Sequence, residues 1–201
     1  MYLPAQFKSD EPAHAAELMR SHPLATLVST DDDGLPFLTL LPLHYDAERH
    51  SVWGHCARAN RHWRYLESRP QAVVLFNGPQ GYLSPMVYPD LTRVPTWNYL
   101  AVQLTVEARL IHEDPPKDEL LKILIADHEP AYAAQWRSLP EDYTSAMLRG
   151  IVGFELRITD LQCKLKLNQH RPEAHASMKQ AYAAGNESER ALVAWMEKLG
   201  L

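Results

Sequence analysis

Four β-rich segments fall within the first 77 residues and are joined mostly by turns, which limits the folds open to this chain. They are residues 24–30, 37–45, 51–53 and 71–77. The first reads L-A-T-L-V-S-T, dense in β-branched side chains that suit a pleated, half-buried surface. Asp31-Asp32-Asp33-Gly34 follows it and supplies the Asp-Gly pair favoured in hairpins. Its three carboxylates lack the ligand spacing of a calcium loop. Only one helix, residues 59–68, crosses between the third and fourth segments. A doubly wound sheet needs a helix after nearly every strand, so the pattern predicts a small antiparallel barrel. The second segment, F-L-T-L-L-P-L-H-Y, is almost continuously apolar and predicts burial on both faces, as at a subunit interface. Pro42 marks a bulge or an edge within it.

The rest of the chain alternates between helix and strand signals. A helix over 10–20 has Asp10 as its cap and Pro12 in its first turn, and Ser21-His22-Pro23 ends it. Residues 78–95 read as a long irregular segment carrying Pro79, Pro85, Pro89 and Pro95, with Tyr82, Ser84, Tyr88 and Arg93 along it. Loops of that length in a compact domain are usually functional or interfacial. A long strand over 100–112 shows clean alternation at Val102, Leu104 and Val106. Helices are predicted at 117–126, 129–137 and 141–148, then strands at 151–158 and 159–167. The tail, 172–199, is helical and broken at Gly185-Asn186, with Ser188 as the new cap.

The 201 residues suit one domain with a helical appendage. A net charge of −5 excludes a broadly basic nucleic-acid face, though not a local patch. Cys56 and Cys163 form no motif and are expected to be reduced. The first residues show no leader pattern, and no stretch has the length of apolar residues needed to cross a membrane, so a cytoplasmic protein without membrane contact is expected. No dinucleotide or P-loop fingerprint, zinc spacing or nucleophile elbow is present, and no metal is expected.

The richest string is W-G-H-C-A-R-A-N-R-H-W-R, residues 53–64. It reads as a strand end, a glycine turn and a helix start. Ala59, Trp63 and Leu66 share one helical face, and Arg58, Arg61 and Arg64 form a ridge beside it. Free N–H groups at such a turn favour an anion. Arg58 offers a bidentate donor, His55 a titratable one, and Gly54 a close approach. Together they read as a phosphate seat; a solvated basic helix with Gly54 serving the turn is the plainer alternative.

Two further strings, V-P-T-W-N-Y (94–99) and K-L-N-Q-H-R-P-E (166–173), stand in order with this one. M-Y-L-P-A-Q-F (1–7) and G-P-Q-G-Y-L-S-P (78–85) support them. Their order and spacing resemble the PaiB family of FMN-binding negative transcriptional regulators over nearly the whole chain, from Met1 to about Pro172. The resemblance implies an α+β fold: an FMN-binding split barrel, a six-stranded antiparallel Greek-key β-barrel with flanking and C-terminal helices. The barrel would span 1–170, with a helical extension over 171–201 packed on it. It also implies a homodimer with FMN at the subunit interface, and DNA as a partner. Under it, Gly54, His55, Arg58, Ala59 and Asn60 would hold the FMN phosphate. Trp97, Asn98 and Tyr99 would border the flavin or support that turn, and Lys166, Gln169 and Arg171 would reach the cofactor from the last strand. The chain departs from the family pattern at Leu40 (commonly His), Val87 (an aromatic), Arg61 (proline), Asn168 (serine) and His170 (asparagine). Three functions therefore stand: a PaiB-type flavin regulator, a flavin-dependent oxidoreductase acting on a small substrate, and a cofactor-free binding protein that has lost FMN.

Overall fold

A computed structural model gives the structure of residues 1–90 and 92–201. Among the described residues, eight strands and seven α-helices follow one another in an α+β arrangement. The strands are β1 (Lys8–Ser9), β2 (Leu24–Thr30), β3 (Pro36–Pro42), β4 (His44–Asp46), β5 (Ser51–Ala57), β6 (Gln71–Leu83), β7 (Thr96–Ile111) and β8 (Ile151–Lys166). Six of them have seven or more residues; β1 and β4 are short additions. Hydrogen-bonded neighbours run β3-β2-β6-β7-β8-β5-β4, and β1 also pairs with β8. β1 and β8, β2 and β3, β2 and β6, β4 and β5, and β5 and β8 pair antiparallel. The helices are α1 (Pro12–Ser21), α2 (His62–Ser68), α3 (Asp114–His128), α4 (Tyr132–Ser138), α5 (Glu141–Arg149), α6 (His175–Ala183) and α7 (Glu187–Lys198). Among the described residues no helix is long and apolar enough to cross a membrane.

The chain forms two compact units. One comprises residues 1–18, 77–102 and 162–201; the other comprises 19–76 and 103–161. In the second unit, β2 and β3 form the expected hairpin, in register from Leu24 opposite Pro42 to Thr30 opposite Pro36. Its turn is tied by Asp31 Oδ1, which accepts from the N–H groups of Asp33 (3.0 Å) and Leu35 (2.8 Å), while Gly34 takes the left-handed conformation. Burial on both faces of β3 is not what the structure shows. Phe37, Thr39 and Leu41 face inward, and the rings of Phe37 and Tyr65 on α2 meet at 5.0 Å. Leu38 and Leu40 are 56% and 66% exposed. Inward burial uses only alternate positions of a strand, and the apolar run supplies both sets.

Three elements are longer than their sequence signals. β5 continues through Gly54 and His55 to Ala57, so Gly54 lies in a strand opposite Phe154 and not in a turn. A Cβ on Gly54 would sit 2.5 Å from Leu43 Cδ2 and 3.2 Å from the Pro42 carbonyl oxygen, so glycine is required there by packing. β6 takes in Gly78 to Leu83, leaving a shorter irregular stretch after it that holds a 3-10 turn, Pro85–Val87. The two strands expected at 151–158 and 159–167 are one, β8.

In the first unit, the capping box of α7 uses Asn186 and not Ser188. Asn186 Oδ1 accepts from Glu189 N–H at 3.0 Å, and Glu189 Oε2 accepts from Asn186 N–H at 2.9 Å. Ser188 instead clasps the backbone of Gln80, accepting from its N–H at 2.7 Å and donating to its carbonyl at 2.8 Å. Met178, Tyr182, Leu192 and Met196 form the buried side of this helical pair.

Candidate functional site

The sequence-derived site residues fall into two groups, one in each unit. The first surrounds the turn between β5 and α2. α2 begins at His62, three residues later than expected, so Ala59 lies in the turn, exposed, and the buried helical face is His62, Tyr65 and Leu66. Several backbone donors of the turn are already used: Arg58 N–H goes to Gly150 O at 2.8 Å, Asn60 N–H to Ala57 O at 2.9 Å, and His62 N–H to Asn60 Oδ1 at 3.0 Å.

Arg58 has a structural role. Its Nε donates to Arg149 O at 2.8 Å and its Nη2 to Ile151 O at 3.3 Å, where α5 ends and β8 begins. A guanidinium suits this place, because the last carbonyls of a helix are unpaired and carry the negative end of its dipole. Trp63 Nε1 in turn donates to Arg58 O at 3.0 Å. From the inside, Thr39 Oγ1 receives Asn60 Nδ2 at 3.1 Å and lies 2.7 Å from His62 Nδ1. The turn is thus held rigidly on both sides.

What remains free is positive charge. Arg58, Arg61 and Arg64 have no carboxylate partner among the described residues; Arg64 instead lies over the Trp63 ring at 5.2 Å. Three guanidiniums without a carboxylate partner within seven residues make a local positive patch that favours an anion on a chain of net charge −5. His55, half-buried opposite Gly153, has no partner for Nδ1, and burial lowers its pKa. Burial likewise lowers His62 to about 4, so both imidazoles are neutral at pH 7. A fixed turn and arginines without carboxylate partners fit a phosphate group. Gly54, sealed by Leu43 and Phe154, offers no open space to a ligand.

The second group lies in the other unit. Asn98, Lys166 and Arg171 line a cavity of about 320 Å³ together with Gln6, Tyr88 and Arg93. Lys166 Nζ donates to Thr96 Oγ1 at 2.6 Å and to the Trp97 carbonyl, and lies 5.7 Å from the centre of the Tyr99 ring. Burial and the neighbouring Lys164 lower its pKa. Lys164 is itself buried, donating to Tyr99 Oη at 2.7 Å and Tyr2 O at 2.9 Å. Trp97 is exposed and meets the Tyr82 ring edge-on at 6.0 Å. Gln169 is spent on the chain itself, accepting from Leu167 N–H at 2.9 Å and donating to Leu165 O. Two departures from the family pattern have local reasons: Asn168 takes a left-handed backbone (φ 62°), which asparagine tolerates, and His170 packs edge-on to Phe7 at 5.6 Å.

Arg61, Arg93 and Asn168 are the residues to which the sequence assigned no site role. For Arg61 the signal was present in the spacing of the ridge. Arg93 stood in the irregular segment read as functional or interfacial, without a role of its own, and Asn168 gave no signal because its partner Tyr88 is 80 residues away.

Comparison with known proteins identifies the family and the fold. A family model described as "Putative FMN-binding domain" matches residues 1–160. The Bacillus subtilis protein named protease synthase and sporulation protein PAI 2 is 32% identical over 177 residues, covering 86% of this chain and 84% of that protein. Among solved structures, the flavocytochrome Anf3 from Azotobacter vinelandii superposes with a TM-score of 0.65 at 18% identity, covering 81% of this chain and 70% of its own. A FAD- and heme-binding protein from Mycobacterium smegmatis does so with a TM-score of 0.65 at 19% identity, covering 79% and 73%. The fold is that of the flavin-binding split barrels, FMN is the cofactor the family match supports, and the chain belongs to the FMN-binding domain family as a PaiB homologue.

Proposed function

We propose that this protein is an FMN-binding regulator that seats the FMN phosphate at the turn after β5. The observation that carries this reading is the rigid turn with three arginines that no carboxylate neutralises. Arg61 and the free edge of Arg58 would bind the phosphate, with His55 and the backbone of Ala59 and Asn60 beside it. When bound, FMN supplies hydride or single-electron chemistry; the chain supplies the seat, the charge and the exclusion of water. Trp97, Asn98, Tyr99, Lys166, Gln169 and Arg171 have no part in this seat in our reading. The regulatory role rests on the resemblance to the PaiB family; the 32%-identical Bacillus protein carries the name protease synthase and sporulation protein PAI 2.

The same reading takes the protein as a homodimer. Leu24, Leu38 and Leu40 are exposed on one face of the β2–β3 hairpin, and cross-strand pairing sets Val28 between Leu38 and Val73 beside them. An apolar face of this kind on an edge strand suits burial against a second copy.

Thermal melting of the purified protein with added FMN tests the seat. FMN should raise the melting temperature, and Arg61→Ala should remove most of that rise while leaving the melting temperature without FMN unchanged. Among the described residues the exposed Arg61 side chain has no hydrogen bond or ion pair, so it separates ligand binding from folding more cleanly than Arg58. An equal rise in both proteins would contradict the seat.

The neutral, unpaired His55 favours a second reading, a flavin-dependent oxidoreductase in which this imidazole accepts a proton. Anaerobic addition of NADPH to the FMN-loaded protein decides it: bleaching of the flavin absorbance supports the enzyme, and an unchanged spectrum opposes it.

A further inference from the structure

We infer that the cavity lined by Arg93, Lys166 and Arg171 is a second binding site, for a small organic anion that also carries a hydroxyl or N–H donor. The inference concerns a site separate from the FMN seat and rests on the flavin reading only in that FMN is held at the turn after β5.

Three residues that line the cavity each carry a buried polar atom with no partner among the described residues: Arg93 Nε, Asn98 Oδ1 and Asn168 Nδ2. Buried polar atoms are nearly always satisfied, so three unpaired ones around one cavity mark a place where a ligand or water completes them. Each is left over for a definable reason. Asn98 is fully buried, and its Nδ2 is committed to Tyr182 Oη at 3.0 Å and Met178 Sδ at 3.1 Å, leaving Oδ1 as an acceptor. Asn168 is also buried; its Oδ1 accepts from Tyr88 Oη at 3.2 Å, leaving Nδ2 as a donor. Arg93 spends Nη2 on Asp90 at 2.9 Å and Glu173 at 3.6 Å, leaving Nε.

The charge points the same way. Arg93, Lys166 and Arg171 face two carboxylates, Asp90 and Glu173, and Lys164 adds a further cation behind Lys166. Lys164 and Lys166 have no carboxylate partner among the described residues. Cations that outnumber the carboxylates around one half-enclosed cavity favour an anion there. The unpaired set, two donors and one acceptor, then specifies the rest of the ligand: an anionic group for the cations and donors, and an O–H or N–H for Asn98 Oδ1. Phe7 and Val94 complete the wall with apolar surface. A volume of about 320 Å³ lies at the small end of ligand pockets, which suits a short hydroxylated carboxylate or phosphate ester.

Calorimetric titration of the FMN-loaded, full-length protein with glycerate and with glycerol 3-phosphate tests this and separates carboxylate from phosphate. Saturable binding of at least one is expected. Lys166→Met and Arg171→Gln should each weaken it by about tenfold, the loss of one charge-assisted hydrogen bond. Propionate, which lacks the donor for Asn98, should bind more weakly than glycerate. Arg171 is a surface residue, so its variant tests the site even where Lys166→Met disturbs folding. The inference is overturned by absence of saturable heat with both probes, by binding indifferent to both variants, or by displacement of FMN by the probe. Displacement would also contradict the turn as the flavin seat, whereas the first two outcomes leave that seat untouched.

Discussion

His62 shows how burial at one residue becomes a property of the whole protein. It is buried between Thr39 and the Phe37 ring, and its pKa falls to about 4. The unfolded chain binds a proton near pH 6.5 that the folded one refuses until about pH 4. Stability is therefore full above pH 6.5 and is lost as pH falls through this window, by up to about 3 kcal/mol from this group. His22, His55 and His170 shift in the same direction. Denaturant unfolding at pH 7 and pH 5 should show a smaller loss of stability in His62→Gln than in the native protein. An identical loss in both would mean that His62 protonation is not coupled to folding.

Gly54 makes a second claim at this scale. A methyl group there meets Leu43, Phe154 and a backbone oxygen within 3.2 Å, so Gly54→Ala should cost about 1–3 kcal/mol by overpacking. If its role were only to admit a ligand, the same variant would fold normally and lose FMN alone.

Among the elements, the hairpin of β2 and β3 was legible because its signals are local: alternation, β-branched residues and an Asp-Gly turn. β6 was cut short in the sequence because Gly78, Pro79 and Gly81 read as loop. In the structure a Cβ on Gly78 would approach Leu18 to 2.8 Å, and one on Gly81 would approach Glu189 to 2.9 Å. These glycines let other elements press onto the strand, and their partners are far away in sequence. The contact that holds Arg58 is equally remote, 91 residues along, so its phosphate-binding pattern was readable and its structural duty was not. The N-terminus of α7 was legible in kind, but the cap is Asn186 with Glu189. Asn186→Ala should cost about 1 kcal/mol, and Ser188→Ala should instead weaken the clasp on Gln80. Chemical denaturation of the two variants reads this directly; an unaltered midpoint for Asn186→Ala would refute the cap assignment.

At the level of the whole molecule, the apolar run of β3 could be read from sequence as needing cover on two sides, but not as to what covers each. The chain covers one side with α2 and leaves Leu38 and Leu40 exposed. Leu40→Asp should therefore leave the monomer folded, since the side chain is 66% exposed, and should shift a dimer to a monomer in sedimentation equilibrium. A dimer that persists unchanged would place the interface elsewhere.

The central claim is that FMN is seated by the unpaired arginines of the turn after β5. Fluorescence titration of FMN into the native protein, Arg61→Ala and Lys166→Met tests it most directly. We predict saturable binding that Arg61→Ala weakens by about tenfold and Lys166→Met leaves unchanged. Binding indifferent to Arg61→Ala and abolished by Lys166→Met would contradict the account and move the flavin to the cavity of the other unit.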